Sequence, residues 1–326
     1  MNPSRRVFVQ FVAGHAALLR YAGSAGAQGY PTHPVRVVVP FPPGGVNDIL
    51  ARIVADKLQA KWGQPVVIEN KTGAGGNIGA EFVYQAAPDG YTLMAAPAPP
   101  LAVNQNLYKH LAYKPEEFVP MTVIGSVPNV VIARKDLPPN SLSELIAHIR
   151  ERPGKVSFGS QGSGATPHLT GMMFQAMTGT QIIHVPYRGE TLVLNDIVGG
   201  HIDLFFGNVA AVKSLYRDGK VKVLATADAA RSPDLPEVPT TAEAGLPGLV
   251  STGWFALVGP PKLAPSMQAG IADAVIDVLN MPDVREKLRA LSVTAGGQSP
   301  AETAAFIRRE SERWGAVIKK FDIVVD

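Results

Sequence analysis

Short β-branched runs alternate with longer stretches whose apolar residues recur three and four positions apart. Val35-Arg36-Val37-Val38-Val39, bounded by Pro34 and Pro40, reads as a buried strand. Apolar residues at 49, 50, 53, 54 and 58 then follow a helical period, and residues 65–69 form a second β-branched run. The order β–loop–α–β is the opening of a parallel α/β sheet. Glycine-rich residues 73–79 predict a loop leading into a helix that runs to about Ala86. Pro88-Asp89-Gly90 predicts a turn, and residues 91–95 a third strand. Residues 119–126 and 129–133 read as two extended segments. Ser141-Leu142-Ser143-Glu144 has the form of a capping box opening a helix to Arg150.

A second unit of the same kind begins at Val156. Residues 156–159 predict a strand, and Ser160-Gln161-Gly162-Ser163-Gly164-Ala165-Thr166 a small-residue loop. Pro167 suits a helix start, and that helix is expected to reach about residue 177. Strands are predicted over 181–186, 201–206 and 221–226, with 195–198 in a helix and another helix over 210–218. A late strand over 254–259 precedes helices over 266–279 and 301–321. Two strand–glycine loop–helix units far apart in the chain point to two similar α/β lobes, not to a short tandem repeat.

Composition narrows the class. A chain of 326 residues fits about two domains of ~150 residues. Its 46% hydrophobic and 17% charged residues supply a sizeable core and exclude global disorder. The lack of cysteine excludes disulfides, thiolate metal sites, iron–sulfur clusters and a thiol nucleophile. Arg5, Arg6 and Arg20 account for the whole net charge of +3, because residues 1–27 hold no Asp or Glu. The rest is neutral, which argues against nucleic acid as a partner.

Residues 1–27 read as an export signal. Ser4-Arg5-Arg6-Val7-Phe8-Val9-Gln10 resembles the twin-arginine motif; an apolar stretch over 11–19 follows, and Ala25-Gly26-Ala27 offers a cleavage site. An ordinary general-secretory signal with two arginines is the alternative. No segment reaches the ~18 uninterrupted apolar residues of a membrane span. The mature protein is expected in the periplasm.

The candidate chemistry lies in the two glycine-rich loops. A helix start leaves backbone N–H groups without internal partners and carries partial positive charge. Glycines let a ligand approach that backbone, so each loop is able to hold a carboxylate or phosphate without a charged side chain. Gly44 and Gly45 lie in the first loop; Ser160, Gln161, Gly162, Ser163, Gly164 and Thr166 in the second. Nucleotide motifs are absent, since Gly73-x-Gly75-x-x-x-Gly79 has the wrong spacing and no G-x-x-x-x-G-K-[ST] occurs. The histidines show no zinc pattern, and no cofactor is expected. Asp196 and Asp203 give no basis for paired-carboxylate chemistry. Ser163 with His168 is the one pair a hydrolase would use, but no Gly-x-Ser-x-Gly elbow surrounds it and His168 reads equally as a cap or core residue. Arg188, at a strand end, reads either as a cation for a ligand carboxylate or as a surface or interlobe ion pair. Tyr187 and Trp254 are candidates for cleft walls or core packing, and Phe41 for a ligand cover. Asn47 and Asp48 stand at the first helix start, where Asp48 suits a cap because its charge would repel an anion.

These motifs together resemble one family. Val37-Val38-Val39-Pro40-Phe41-Pro42-Pro43-Gly44-Gly45 with Asp48 and Ala51-Arg52 is similar to the opening of the tripartite tricarboxylate transporter solute receptors, the Bug family. Gln64-Pro65-Val66-Val67-Ile68-Glu69-Asn70, Gly73–Gly79 and Pro88-Asp89-Gly90-Tyr91-Thr92-Leu93 extend the likeness. So do Val185-Pro186-Tyr187-Arg188-Gly189, Gly199-Gly200-His201-Ile202-Asp203-Leu204 and Val238-Pro239-Thr240-Thr241-Ala242-Glu243-Ala244-Gly245. The resemblance implies a two-lobed α/β periplasmic binding protein of the Venus-flytrap type, with the ligand cleft between lobes. Lobe one would comprise 28–127 and 250–326, lobe two 128–249, with two crossing strands as the hinge. It implies a binding protein, not an enzyme, that takes a small mono- or dicarboxylate, aliphatic or aromatic. A membrane permease of two subunits would receive the ligand, and the receptor would be a monomer. The Gly44-Gly45 loop and the 160–166 loop would clamp the carboxylate, with Arg188 and Asn208 near its far end. A sensor for a membrane signalling partner is the alternative among binding proteins. The chain departs from the pattern at Gln161 and Ala165, where Ser and Thr are usual, and at Glu190-Thr191, where small residues are usual. It also departs at Gly207, where Asp is frequent.

Overall fold

A computed structural model describes residues 29–323; the expected export signal lies outside them. The first unit runs β1 (Val35–Val39), α1 (Val46–Trp62), β2 (Val66–Asn70), α2 (Asn77–Tyr84) and β3 (Thr92–Pro97). An irregular segment leads to β4 (Val119–Arg134) and α3 (Leu142–Glu151). The second unit continues β5 (Val156–Ser160), α4 (Thr166–Thr178), β6 (Ile182–Pro186), α5 (Glu190–Val198), β7 (Leu204–Asn208), α6 (Val209–Arg217) and β8 (Val221–Thr226). The chain closes with β9 (Thr252–Gly259), α7 (Pro265–Leu279), α8 (Pro282–Ala290), β10 (Thr294–Ala295) and α9 (Pro300–Lys320).

Among the described residues the strands join in one ten-stranded sheet, ordered β2-β1-β3-β9-β4-β7-β5-β6, with β8 and β10 paired to β4. β1 runs parallel to β2 and β3, and β5 parallel to β6 and β7. Parallel strands connected through helices are covered on both faces, which is why β1 is β-branched without clean alternation. Val37 and Val39 enter one core layer and Val38 the other, as the two-residue period of a strand requires.

The two extended segments expected at 119–126 and 129–133 are one strand. Up to Pro128, β4 pairs with β9; from Asn129 it pairs with β7 and β8. Pro128 has no N–H to give, and it sits where the partners change. The Asn129 backbone accepts from Ala227 N–H at 2.8 Å and donates to Ser251 at 3.1 Å, tying the outward strand to the returning chain. At Ser141 only half of the capping box forms: Ser141 Oγ accepts the Glu144 N–H, while the Glu144 carboxylate accepts from Asn140 N–H. The reciprocal box stands at Ser299 and Glu302. Helix α8 and strand β10 have no counterpart in the sequence expectation. Among the described residues no helix is long and apolar enough to cross a membrane.

The loops after β1, β5, β6 and β7 all leave the carboxyl ends of parallel strands. In open α/β sheets that edge is where ligands bind.

Candidate ligand-binding cleft

These loops enclose a cavity of ≈ 250 Å³. Four helix starts reach it. Helix α1 brings Gly45, Val46 and Asn47; α4 brings Ala165, Thr166 and Pro167; α5 brings Gly189, Glu190, Thr191 and Leu192; α6 begins from Asn208. None of the four is capped by its own N-cap side chain, whereas Ser141 and Ser299 cap α3 and α9 at exposed ends. Uncapped starts leave N–H donors and the positive ends of four macrodipoles around one small space. The remaining walls are apolar: Phe41, Pro42, Pro43, Pro97, Pro99 and Phe255. Arg188 lines the cavity as well and is exposed.

The first loop is braced by charge. Gly44 sits at φ 87, in the left-handed region, and its N–H donates to Asp48 Oδ2 at 3.0 Å. Arg52 Nε and Nη2 donate to the two Asp48 oxygens at 2.9 Å each, and Asn70 Nδ2 donates at 3.0 Å. Burial raises the Asp48 carboxyl, but the bonds from Arg52, Asn70 and Gly44 outweigh it and hold the pKa below its ordinary value. Asp48 therefore holds the loop from behind. Beside it, Asn47 Nδ2 donates to Ala95 O at 3.1 Å, while its buried Oδ1 has no partner.

The second loop is braced by neutral rings. His168 and His184 stack with centroids 4.1 Å apart, and Phe158 packs against both. His168 Nδ1 accepts the Gly164 N–H at 3.1 Å. His184 Nε2 lies 2.6 Å from Ser160 Oγ, which also accepts the Gly162 N–H at 3.2 Å. Burial pushes both imidazoles down, His168 to about 3 with help from His184, and His184 to about 4. The far side of the loop abuts the segment after β3: a Cβ on Gly164 would lie 3.1 Å from Leu107 and 3.4 Å from Asn104.

The structure sorts the expected site residues. Phe41, Gly45, Asn47, Gln161, Thr166, Arg188 and Asn208 line the cavity. Gly44, Asp48, Ser160, Gly162, Ser163, Gly164, His168 and Tyr187 do not, because they form the loops' bracing and packing. Tyr187 turns away to donate its hydroxyl to Asp196 at 2.6 Å. Nor does Trp254 wall the cleft: it is buried, donating Nε1 to Glu310 at 2.9 Å, and strand alternation gives the cavity its neighbours Gly253 and Phe255 instead. Ser163 and His168 form no nucleophile–base pair, since the Nδ1 of that buried ring is taken by a backbone amide. At Gly207, the Phe205 ring fills the space that a side chain would take.

Sequence reasoning passed over Glu190 as a site residue. Only 7% exposed, Glu190 accepts from Gln161 Nε2 at 3.0 Å and from Asn208 Nδ2 at 3.5 Å, and its Oε2 lies beside Gly45 at the start of α1. Burial lifts its carboxyl to about 7, against the hydrogen bonds that favour the charged form. The available signal was its position, an acid directly after Gly189 at a helix start where the resembling family has small residues.

The fold and the cleft define a periplasmic solute-binding protein of two lobes, the class to which its structural relatives belong. The chain belongs to the tripartite tricarboxylate transporter receptor family, TctC, whose pattern matches residues 50–323. It is 37% identical to protein BugT of Bordetella pertussis over 301 residues, 92% of each chain. R. palustris Rpa4515 with adipate superposes at a TM-score of 0.87 with 36% identity, covering 90% of this chain and 99% of that one. MatC of Rhodopseudomonas palustris with bound malate gives 0.85 with 31% identity, covering 89% and 100%.

Proposed function

We propose that this protein captures a small mono- or dicarboxylate between its lobes and passes it, unchanged, to a membrane permease of two subunits. The observation that carries the reading is the convergence of four uncapped helix starts on one cavity. Such a site recognises negative charge through backbone dipoles and suits a chain whose charge beyond residue 27 is balanced. The apolar walls suit an aliphatic or aromatic body between the polar ends. Adipate and malate in two relatives support a carboxylate ligand. In this reading residues 1–27 direct export to the periplasm and the receptor acts as a monomer. The lobes, 28–127 with 250–326 and 128–249, close about the β4 crossing and the return at Ser251. Closure is stabilised by contacts that only the closed form makes.

The test is a thermal-shift screen of the mature protein against carboxylic acids, with adipate, malate, citrate and aromatic acids among them. A ligand at 100 times its dissociation constant adds ~2.7 kcal/mol of stability. A saturable shift with an acid, absent with the matching amide, is the expected result. A folded, ligand-free protein that shifts with no acid would sink the reading.

A further inference from the structure

The carboxylate of Glu190 already stands where an incoming anion would dock. Its Oε2 lies beside Gly45 at the start of α1, and it accepts from Gln161 before α4 and from Asn208 at the end of β7. The side chains that donate to it, Gln161 and Asn208, are both neutral amides. A ligand carboxylate drawn to the same helix starts arrives beside a buried carboxylate. Two carboxylates in one site do not both stay ionised; one takes a proton.

We propose that Glu190 makes carboxylate capture by this cleft proton-linked: as the ligand carboxylate seats on the converging helix starts, one proton from solvent binds a Glu190 carboxylate oxygen. The proposal rests on the carboxylate reading above. Only an O–H bond forms, and the protonated side chain then presents a donor to the ligand. On the preceding loop stands the Arg188 guanidinium, which lines the same cavity. On α1, Asp48 is held ionised by Arg52. Beneath the loop before α4, His168 and His184 are held neutral by burial, at about 3 and about 4. Further along α5, Asp196 accepts from Tyr187, and β7 contributes only Asn208. Burial places the Glu190 carboxyl itself at about 7.

The experiment is isothermal titration of wild type and Glu190→Gln with adipate, malate and benzoate, from pH 6 to pH 8.5, in two buffers of different ionisation enthalpy. For the acid that binds, wild-type affinity is expected to fall about tenfold per pH unit above 7, because only the protonated fraction is competent. The buffer comparison should show nearly one proton taken up per ligand at pH 8. Glu190→Gln should bind with no such slope and no uptake. Wild-type affinity that is flat with pH, without uptake, overturns the proposal and leaves the carboxylate reading standing. If no acid of the wider screen binds either protein at any pH, both fall. An independent arm needs no ligand: a carbon-13 titration of Glu-labelled protein. A carboxyl signal titrating near 7 and missing from Glu190→Gln is expected; a Glu190 signal that titrates in the ordinary range both without and with bound acid overturns the proposal. If Glu190→Gln does not fold, Glu190→Asp in the same titrations identifies the signal by its loss from the Glu-labelled spectrum.

Discussion

The loop after β1 and the loop after β5 each carry a parallel strand into a helix through glycines, but different forces hold them. The first hangs on an ion pair: Asp48 grips Gly44 and is itself held by Arg52 and Asn70. The second rests on uncharged rings, with His168 holding Gly164 and His184 meeting Ser160. A buried carboxylate needs a cation and donors, whereas a buried imidazole needs only to stay neutral. Loops that look alike in sequence therefore answer differently to pH and to substitution.

The largest expected difference is acid sensitivity. Both imidazoles have folded pKa values below the free value of about 6.5, so the unfolded chain takes protons that the folded chain refuses. Their contribution is complete above pH 6.5 and is lost as the pH falls towards 4. Between pH 7 and pH 4 the loss should amount to several kcal/mol, less the solvent screening of the partly exposed His184. Asp48 is depressed below an already low carboxylate value, so the first loop keeps its brace over that range and loses it only at lower pH. Denaturant unfolding of wild type and the double variant His168→Gln, His184→Gln at both pH values checks this. An equal loss in the two proteins would break the contrast.

Next in size is the ionic brace. Asp48→Ala strands the Gly44 N–H and leaves Arg52 and Asn70 without their acceptor. The Arg52 side chain is half exposed, which weakens its share through solvent screening. The net cost should be about 3 kcal/mol at pH 7, read as a lowered denaturant midpoint. A change below ~0.5 kcal/mol, the size typical of an ordinary surface substitution, would show that the loop stands without it.

Much of this framework was legible in the sequence, and the limits have physical reasons. The strand at Val35–Val39, both glycine loops and the helix start at Pro167 follow from local chemistry: β-branching, left-handed backbone and a fixed proline φ. Which residues face the cavity depends on distant partners. Asp48 was expected as a cap, and it does reach back to the Gly44 N–H, but its pairing with Asn70 needs β2 laid beside β1. His184 joins Ser160 only because β5 and β6 pair in register. Trp254 and Phe255 exchange roles through strand phase, which composition does not set. Helix α8 buries only Val284 and Leu288, too short a stripe to stand out among its charges.

The smallest expected effect compares one substitution at matched places. Gly44 and Gly164 have φ of 87 and 82, so alanine at either forces an L residue into the left-handed region at about 1 kcal/mol. Their surroundings differ. A Cβ on Gly44 meets nothing nearer than Thr191 Oγ1 at 4.0 Å, while one on Gly164 lies 3.1 Å from Leu107 and 3.4 Å from Asn104. Leu107 and Asn104 are buried on the far side of the interface, so they have little room to yield. Gly164→Ala should therefore cost about 1 kcal/mol more than Gly44→Ala, the lower end of overpacking penalties. Because Leu107 and Asn104 come from the segment after β3 and Gly164 from the loop after β5, that excess belongs to the contact between the two units. Adding Leu107→Ala should remove the excess at Gly164 and leave the cost at Gly44 unchanged, a double-mutant cycle that reads the contact directly. Equal costs at the two glycines would show that backbone strain alone sets the penalty and that the second loop is no more tightly packed than the first, whereas an excess that survives Leu107→Ala would assign it to Asn104 in place of Leu107.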